Sequence, residues 1–310
     1  MTSPQAAAGR AAVPGAATHE GMEPAVAVQE LTKRFGPVVA VDRLTWSVWR
    51  HETVMLWGAN GAGKTTVLRC LLGLMPFDGS VEILGMDVRA QGKAARAAMG
   101  YVPQEVRFHG EDTVEETVRF YASLRRVPFG RVRELLVRWH LAGAARQAVR
   151  GLSGGMKQKL ALIVALLADP PVLLLDEPTS NLDAEARREF IGLLEELKAA
   201  GKTLICCSHR LAEVWRLADR VIVLQQGRLA AAGPPHSVAW ALQQRTVVCL
   251  TLEAARISEA MALLERHGLA VERAGTQLLV TVPSERKVQP IQVLLEAGIP
   301  VVNLDIDDGR

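Results

Sequence analysis

Residues 152–159 read LSGGMKQK, and the apolar run VLLLDEP follows closely at 172–178. A glycine-rich phosphate loop, which this chain also has at 58–65, would by itself indicate only some nucleotide-binding enzyme. Most such enzymes have no use for an LSGGM segment. The pairing of these segments therefore bears on the fold, the reaction and the assembly of the protein together.

Length and composition predict a protein of about two domains. The formal net charge of +3 over 310 residues is too weak to indicate nucleic acid as a partner. The four cysteines, Cys70, Cys206, Cys207 and Cys249, show no metal-type spacing, and we interpret them as reduced core residues. No stretch approaches the roughly 20 apolar residues that span a bilayer, so a membrane process would need another chain.

The pattern along the chain predicts a tail, a large α/β domain and a small second domain. Residues 1–24 are rich in Ala, Gly and Pro and lack the apolar core of a signal peptide, which predicts a flexible tail. Strand and helix patterns alternate over 25–235, with a helical subdomain at about 105–165. Residues 245–310 predict the order β-α-β-β-α-β, and therefore a small accessory domain with a ferredoxin-like fold.

The segment GANGAGKT at 58–65 fits the phosphate-loop pattern between a predicted strand and helix. Its glycines let backbone N–H groups converge on phosphate oxygens, and the following helix N-terminus adds positive potential. Lys64 is expected to neutralise the β- and γ-phosphates, and the Thr65 hydroxyl to bind Mg²⁺. The ATP contacts predicted from this segment are Gly58, Ala59, Asn60, Gly61, Ala62, Gly63, Lys64, Thr65 and Thr66.

Two acids follow the apolar run VLLL, beside the expected phosphate site. The carboxylate of Asp176 can hold Mg²⁺ there. Glu177 is adjacent on the same strand end and points another way, so it can reach the attacking water as general base. The sequence therefore predicts a Mg²⁺-dependent enzyme that hydrolyses a nucleotide.

These motifs, in this order, resemble an ATP-binding-cassette (ABC) ATPase domain from about Val26 to Gly233. The resemblance implies a P-loop core with a mixed sheet and a helical subdomain, within an α/β fold class. It also implies that Gln104, in YVPQ at 101–104, senses Mg²⁺ and the membrane partner, and that His209 contacts the γ-phosphate.

Further roles follow from the same resemblance. The ring of Phe35 would stack on adenine, although tyrosine is commoner in the family at this place. Ser153, Gly154 and Gly155 would bind the γ-phosphate of ATP held by the opposite subunit, with a helix N-terminus aimed at it. Asp183, in SNLD, would cross the dimer interface.

The resemblance implies an ATP-hydrolysing transporter subunit. Its partners would be a separate transmembrane permease subunit and a second cassette, for which an identical copy is favoured, and no specific nucleic acid is expected. It would be cytoplasmic, peripheral on the cytoplasmic face of the inner membrane. The cassette together with the accessory domain looks more like an exporter ATPase, and the combination also resembles the copper-processing ATPases of nitrous-oxide reductase maturation. The alternative is a soluble ABC ATPase acting on nucleic acid or ribosomes, but the chain has one cassette and no long coiled coil.

The predicted helical subdomain carries two surface features. Six arginines between residues 119 and 138 exceed their acidic neighbours; a solvated basic face is the default, and attraction to an anionic membrane is the alternative. Val106, Phe108, Phe120 and Tyr121 either line a groove for the membrane partner or form ordinary core. The sequence leaves both choices open.

Overall fold

The computed structural model describes residues 23–242, 245–283 and 286–307. The predicted flexible tail therefore lies outside the described residues, apart from its last two positions. Two compact units are divided between Val238 and Ala239. Each unit has its own sheets and core.

The first unit contains an antiparallel sheet and a mixed sheet. Its strands are β1 (Val26–Phe35), β2 (Val38–Val48), β3 (Thr53–Trp57), β4 (Asp78–Ile83), β5 (Met86–Asp87), β6 (Met99–Val102), β7 (Val172–Asp176), β8 (Thr203–Ser208), β9 (Arg220–Gln225) and β10 (Arg228–Gly233). The antiparallel sheet has the order β2-β1-β4-β5. The mixed sheet has the order β10-β9-β3-β8-β7-β6, in which β10 is antiparallel to β9 and the other neighbours are parallel.

The helices of this unit lie between and around the sheets. They are α1 (Lys64–Leu71), α2 (Gly92–Ala97), α3 (Val114–Arg125), α4 (Phe129–Arg138), α5 (Gly154–Leu166), α6 (Ala184–Ala199) and α7 (Leu211–Leu217). No helix in the described part of the chain combines the length and apolar character that a membrane crossing needs.

The central strands are hydrophobic on both faces. Every residue of β3, β7 and β8 is buried, as expected for parallel strands covered on both sides. Leu68 of α1 packs in one continuous cluster with Trp46 of β2 and Leu174 of β7. This cluster joins the two sheets and holds the start of α1 at the edge where β3 ends.

The predicted helical subdomain contains α3 and α4, with α5 at its end. A capping box begins α3: the Thr113 Oγ1 accepts from the backbone N–H of Glu116 (3.2 Å), and the Glu116 carboxylate accepts from the backbone N–H of Thr113 (2.8 Å). The helix ends at Arg126, which has a left-handed φ of 55°. These local signals mark where α3 begins and ends, in agreement with the helical pattern predicted for this segment.

The second unit has one antiparallel sheet with the order β12-β13-β11-β14. Its elements are α8 (Ala239–Leu242), β11 (Arg245–Thr251), α9 (Ile257–Arg266), β12 (Ala270–Ala274), β13 (Gln277–Pro283), α10 (Gln289–Glu296) and β14 (Asn303–Asp307). Leu264 of α9 and Leu294 of α10 are fully buried in one cluster with Val248 and Val280 of the sheet. After α8, the order of elements is β-α-β-β-α-β.

We predict that Leu174→Ala destabilises the first unit by about 2–5 kcal/mol, because it leaves a cavity between closely packed neighbours. Leu174 is 0% exposed. The free energy of unfolding from urea titrations, followed by tryptophan fluorescence, measures the loss. Leu124→Ala on α3 is the matched control, because Leu124 is 64% exposed and its loss should cost no more than about 0.5 kcal/mol. Equal effects of the two changes would contradict the assignment of this core.

Candidate functional site

The register of the parallel strands brings the predicted site residues to one edge of the mixed sheet. Trp57 at the end of β3 pairs with Ser208 at the end of β8. Asp176 at the end of β7 pairs with Cys207 of β8, and β6 pairs in parallel with β7. The segments that follow these four strands therefore leave the sheet at the same edge, where ligands of open α/β sheets bind.

The phosphate loop follows β3 and leads directly into α1. A Cβ at Gly58 would lie 2.5 Å from the carbonyl oxygen of Leu224, and one at Gly63 would lie 2.6 Å from that of Ala40. Gly63 also has a φ of 100°, which L side chains rarely adopt. Glycine is therefore required at both positions by close approach of the backbone. Ala59, Asn60 and Gly61 at the crest of the loop are exposed.

Lys64 is buried inside this loop. Its Nζ donates to the carbonyl oxygens of Gly58 (2.7 Å) and Ala59 (3.2 Å). The same Nζ lies 3.3 Å from Oε1 of Glu177. The ammonium group thus connects the phosphate loop to the end of β7.

Glu177 occupies the centre of the site. Its Oε1 faces Lys64, and its Oε2 lies 3.3 Å from Nδ1 of His209. The residue has a left-handed φ of 45°, uncommon for a non-glycine residue and a frequent sign of functional constraint. Because of this turn in the backbone, the side chains of Asp176 and Glu177 point in different directions. The structure brings Lys64, Glu177 and His209 together, with Glu177 at 3.3 Å from each of the other two.

Asp176 and Thr65 form a second pair beside it. The Thr65 hydroxyl donates to Oδ1 of Asp176 (3.1 Å). Burial raises the pKa of Asp176, and the nearby Glu177 carboxylate adds to the rise, whereas the Thr65 hydrogen bond opposes it. A divalent cation at these oxygens would favour the ionised carboxylate. Because buried carboxylate and hydroxyl oxygens are ligands that Mg²⁺ prefers, this pair fits a magnesium ion.

Gln104 and Phe35 lie at the border of the site. Gln104 follows β6 by two residues and is exposed. Phe35 ends β1, its ring is 50% exposed, and Nζ of Lys33 lies 4.9 Å from the ring centroid. The neighbouring strand β2 touches the phosphate loop through Ala40. Phe35 is therefore accessible, and it lies in the same pair of strands, β1 and β2, that reaches the loop through Ala40.

The LSGG segment and the SNLD loop form a separate surface of their own. Ser153 caps α5 by accepting from the backbone N–H of Met156 (3.2 Å). Asp183 caps α6 by accepting from the backbone N–H groups of Glu185 and Ala186. The two helix starts are close, since a Cβ at Gly155 would lie 2.9 Å from Cβ of Ala186.

This surface is not connected to the phosphate loop by polar contacts. Within the described residues, no hydrogen bond or ion pair joins Ser153 or Asp183 to Lys64 or Glu177. Ser153, Gly154 and Asp183 are exposed. The structure thus assembles the predicted site residues into two groups, one around Glu177 and one at the starts of α5 and α6.

One buried acid was missed by the sequence predictions. Glu213, in the first turn of α7, is 5% exposed and accepts hydrogen bonds from the hydroxyls of Thr179 and Ser208. Its position four residues after His209 carries no motif that would mark it. Only the fold reveals that its two partners flank the catalytic candidates.

Comparisons with known proteins agree with this geometry. A family model described as ABC transporter matches residues 41–180. The chain is 38% identical over 223 residues to the Nod factor export ATP-binding protein I of Ralstonia nicotianae, with 70% of each chain covered. It is 36% identical over 266 residues to the protein of the same name from Mesorhizobium japonicum, covering 84% of this chain and 77% of that one.

Solved structures give the same result. A structure described as the ATP binding subunit of an ABC transporter matches with a TM-score of 0.64 and 29% identity, over 69% of this chain and 92% of that chain. These relatives favour a transporter subunit over an ATPase acting on nucleic acid or ribosomes. The further likeness to copper-processing ATPases stays a prediction.

We predict that Gly63→Ala lowers ATP affinity, because the added methyl group would meet the carbonyl oxygen of Ala40 at 2.6 Å and displace the phosphate loop. Isothermal titration with ATP measures the loss. Gly85→Ala is the matched control, since Gly85 also has a positive φ of 76° but has nothing within 4 Å of its added Cβ. Equal affinities for the two variants would contradict the close-approach argument.

Proposed function

Because the chain belongs to the ABC transporter family, as an ATP-hydrolysing subunit of a transporter, we propose that it drives export with a nucleotide site completed by a second cassette. The observation that carries this proposal is the position of Glu177. Its carboxylate stands between Lys64 and His209, 3.3 Å from each, at the end of β7 and beside the phosphate loop.

In this proposal the phosphate loop and Phe35 hold ATP. Backbone N–H groups from Gly58 to Gly63 surround the β- and γ-phosphates, and the N-terminus of α1 adds positive potential. Lys64 moves its donors from loop carbonyl oxygens to phosphate oxygens, which are the stronger acceptors. Thr66, in the first turn of α1, is proposed as a further contact of the ATP phosphates. Stacking on the exposed ring of Phe35 orients the adenine.

The proposed metal ligands are Thr65, Asp176 and Gln104. When bound, Mg²⁺ neutralises charge on the β- and γ-phosphate oxygens. The support is the direct hydrogen bond between Thr65 and Asp176 and the burial of that carboxylate. Gln104 follows β6, the strand next to β7, and it is exposed. We propose that it connects the metal to the membrane partner.

Glu177 is the proposed general base, and His209 holds the γ-phosphate. The carboxylate of Glu177 accepts a proton from the attacking water as the water oxygen bonds to the γ-phosphorus, while the bond from that phosphorus to the bridging oxygen breaks and ADP leaves. His209 is near enough to Glu177 to keep the carboxylate and the γ-phosphate aligned. Most of the rate enhancement comes from positioning and charge stabilisation, since phosphoryl transfer needs little covalent help from the protein.

We propose that Ser153, Gly154, Gly155 and Asp183 act on the ATP held by the other cassette, favouring a homodimer. Ser153, Gly154 and Asp183 are exposed and Gly155 is half-buried, all at two helix N-termini, which attract anions. None of them has a polar contact with Lys64 or Glu177 within the described chain. A second copy placed head to tail would present them to the γ-phosphate. Closure then assembles the site, and hydrolysis loosens it.

Export through a separate permease subunit is proposed from the names of the relatives, which are export ATP-binding proteins. The chain would then lie at the cytoplasmic face of the inner membrane. An aromatic cluster supports docking there: Tyr121 contacts Phe108 and Phe120 edge-on, and Phe120 is 57% exposed. Phe120 is thus outside the core and available to a partner.

The second unit is proposed to be a ferredoxin-like accessory domain. Its element order is β-α-β-β-α-β, its sheet order is β12-β13-β11-β14, and all three neighbouring pairs are antiparallel. In this order β11 and β12, which α9 connects, are parallel to each other and have β13 between them. In the same way β13 and β14, which α10 connects, are parallel and have β11 between them. This is the arrangement of the split βαβ motif. We propose a docking or regulatory role for it.

Glu177→Gln should keep ATP binding and lower kcat by roughly 10²–10⁴-fold, because an amide cannot accept the proton of the attacking water. Lys64 keeps its carbonyl partners in this variant, so the loop remains formed. Steady-state phosphate release measures turnover, and size exclusion with ATP detects a trapped dimer. Glu196→Gln, at an exposed position of α6, is the control. Turnover close to that of the unaltered protein would contradict the general-base assignment.

A complementation experiment tests the shared site. Lys64→Ala removes the phosphate contact, and Gly154→Asp places a repelling carboxylate at the start of α5, where an acid is compatible with the helix. Each variant alone should be inactive. Equal mixtures should regain about a quarter of the unaltered rate, since half the dimers are mixed and have one intact site.

Phosphate release from separately purified and then mixed chains gives the answer. A mixture of either variant with a chain that carries both changes is the control, because no intact site can form in it. If the LSGG segment served its own subunit's nucleotide, every site in the first mixture would also be defective. Absence of recovery would therefore argue against sites built from two chains.

A further inference from the structure

A buried carboxylate joins the two segments that carry the catalytic candidates. Glu213 of α7 is 5% exposed. Its Oε1 accepts a hydrogen bond from Oγ1 of Thr179 (2.5 Å), and its Oε2 accepts one from Oγ of Ser208 (2.6 Å). Short hydrogen bonds from hydroxyls to an acid are among the stronger ones in proteins.

The two hydroxyls lie on either side of the Glu177–His209 pair. Thr179 is buried two residues after Glu177, within a turn in which the Ser180 N–H donates to the carbonyl oxygen of Glu177 (3.1 Å). Ser208 is the last residue of β8 and directly precedes His209. One carboxylate therefore fixes both backbone segments from which the facing side chains of the site emerge.

The charge environment shows that these hydroxyls are the main partners of the acid. The nearest cation is Arg210, whose Nε lies 3.9 Å from Oε1 of Glu213, beyond hydrogen-bond distance. The backbone N–H of Arg210 instead donates to Oγ of Ser208 (3.1 Å). Each hydroxyl has a single proton to donate, and both protons are directed at the same carboxylate. We call this arrangement, Thr179–Glu213–Ser208, the bridge. Each of its two hydrogen bonds has a defined donor and a defined acceptor oxygen.

We propose that Glu213 is a positioning residue for ATP hydrolysis, which holds Glu177 and His209 at their 3.3 Å separation through Thr179 and Ser208. The inference rests on the proposed roles of Glu177 and His209. Glu213 acts through the two segments and takes no part in proton transfer. The same bridge reaches the SNLD loop, because Thr179 begins the turn that leads to Asp183.

Substitutions at Thr179 separate the hydrogen bond from packing. Thr179→Val keeps the branched shape and loses the hydroxyl, whereas Thr179→Ser keeps the hydroxyl and loses a methyl group. We expect Thr179→Val to lower kcat by about tenfold or more, since small misplacements of catalytic groups are costly. Thr179→Ser should stay within about twofold of the unaltered kcat. Both variants should bind ATP with unchanged affinity.

The acid itself is tested with Glu213→Gln in the full chain. Thr179 and Ser208 donate to different oxygens of Glu213, and in glutamine one of these oxygens is replaced by an NH₂ group, which donates and does not accept. One arm of the bridge is therefore lost, and kcat should fall while ATP affinity is kept. Combining Glu213→Gln with Thr179→Val should give no further loss, because both remove the same bridge. Glu195→Gln is the matched control, since Glu195 also anchors α7, through Arg216 (2.7 Å), but at the surface.

The outcomes distinguish this inference from the proposed function. If Thr179→Val and Glu213→Gln keep full turnover while Glu177→Gln loses it, Glu213 has no positioning role and the general base stands. If Glu177→Gln keeps turnover, the proposed base fails by itself. A larger loss in Thr179→Ser than in Thr179→Val would show packing instead of the bridge. Should Glu213→Gln fail to fold, Ser208→Ala removes the other arm, and unchanged kcat there overturns the inference.

Discussion

The parallel register of β3, β8 and β7 is the constraint on which the site depends. These strands are buried on both faces, so their side chains alone do not distinguish one face from the other. Their alignment instead depends on the elements that enter and leave them. A shift of one residue would turn Asp176 and Glu177 away from the phosphate loop, because side chains alternate between faces. The loop, the acids and His209 meet only in the observed alignment.

The buried charges add a second constraint at this edge. Lys64 and Glu177 face each other at 3.3 Å, with side chains only 5% and 10% exposed. Removing one partner of a buried pair leaves an uncompensated charge, at a cost of about 3–5 kcal/mol. In this site the loss of free energy would be smaller, because Lys64 would still donate to two carbonyl oxygens and Glu177 would still have His209 beside it.

The sequence predicted those parts of the site that are local in the chain. The phosphate loop needs glycine where another part of the backbone comes close to it. At Gly58 and Gly63 an added Cβ would collide with a backbone carbonyl oxygen, in agreement with the glycine pattern of the sequence. Asp176 and Glu177 were found because an apolar strand precedes them directly. Glu213 was missed because its partners, Thr179 and Ser208, are brought to it by strand order and not by spacing. The packing of β2 against the loop, through Ala40 and Gly63, is likewise shown by no local pattern in the sequence.

If a second cassette completes the site as proposed, the separation of the site residues into two groups makes hydrolysis depend on assembly. One chain alone brings Lys64, Glu177 and His209 together. The side chains of Ser153 and Asp183 instead cap the helices that they begin. The first turn of each helix has further backbone N–H groups without intrahelical partners, and in the proposed dimer a phosphate of the nucleotide bound to the second chain would accept from them. In a head-to-tail dimer each copy supplies one group of each kind, so a single closing motion would complete two sites at once. A membrane partner that changes the distance between cassettes would then control hydrolysis without touching Glu177.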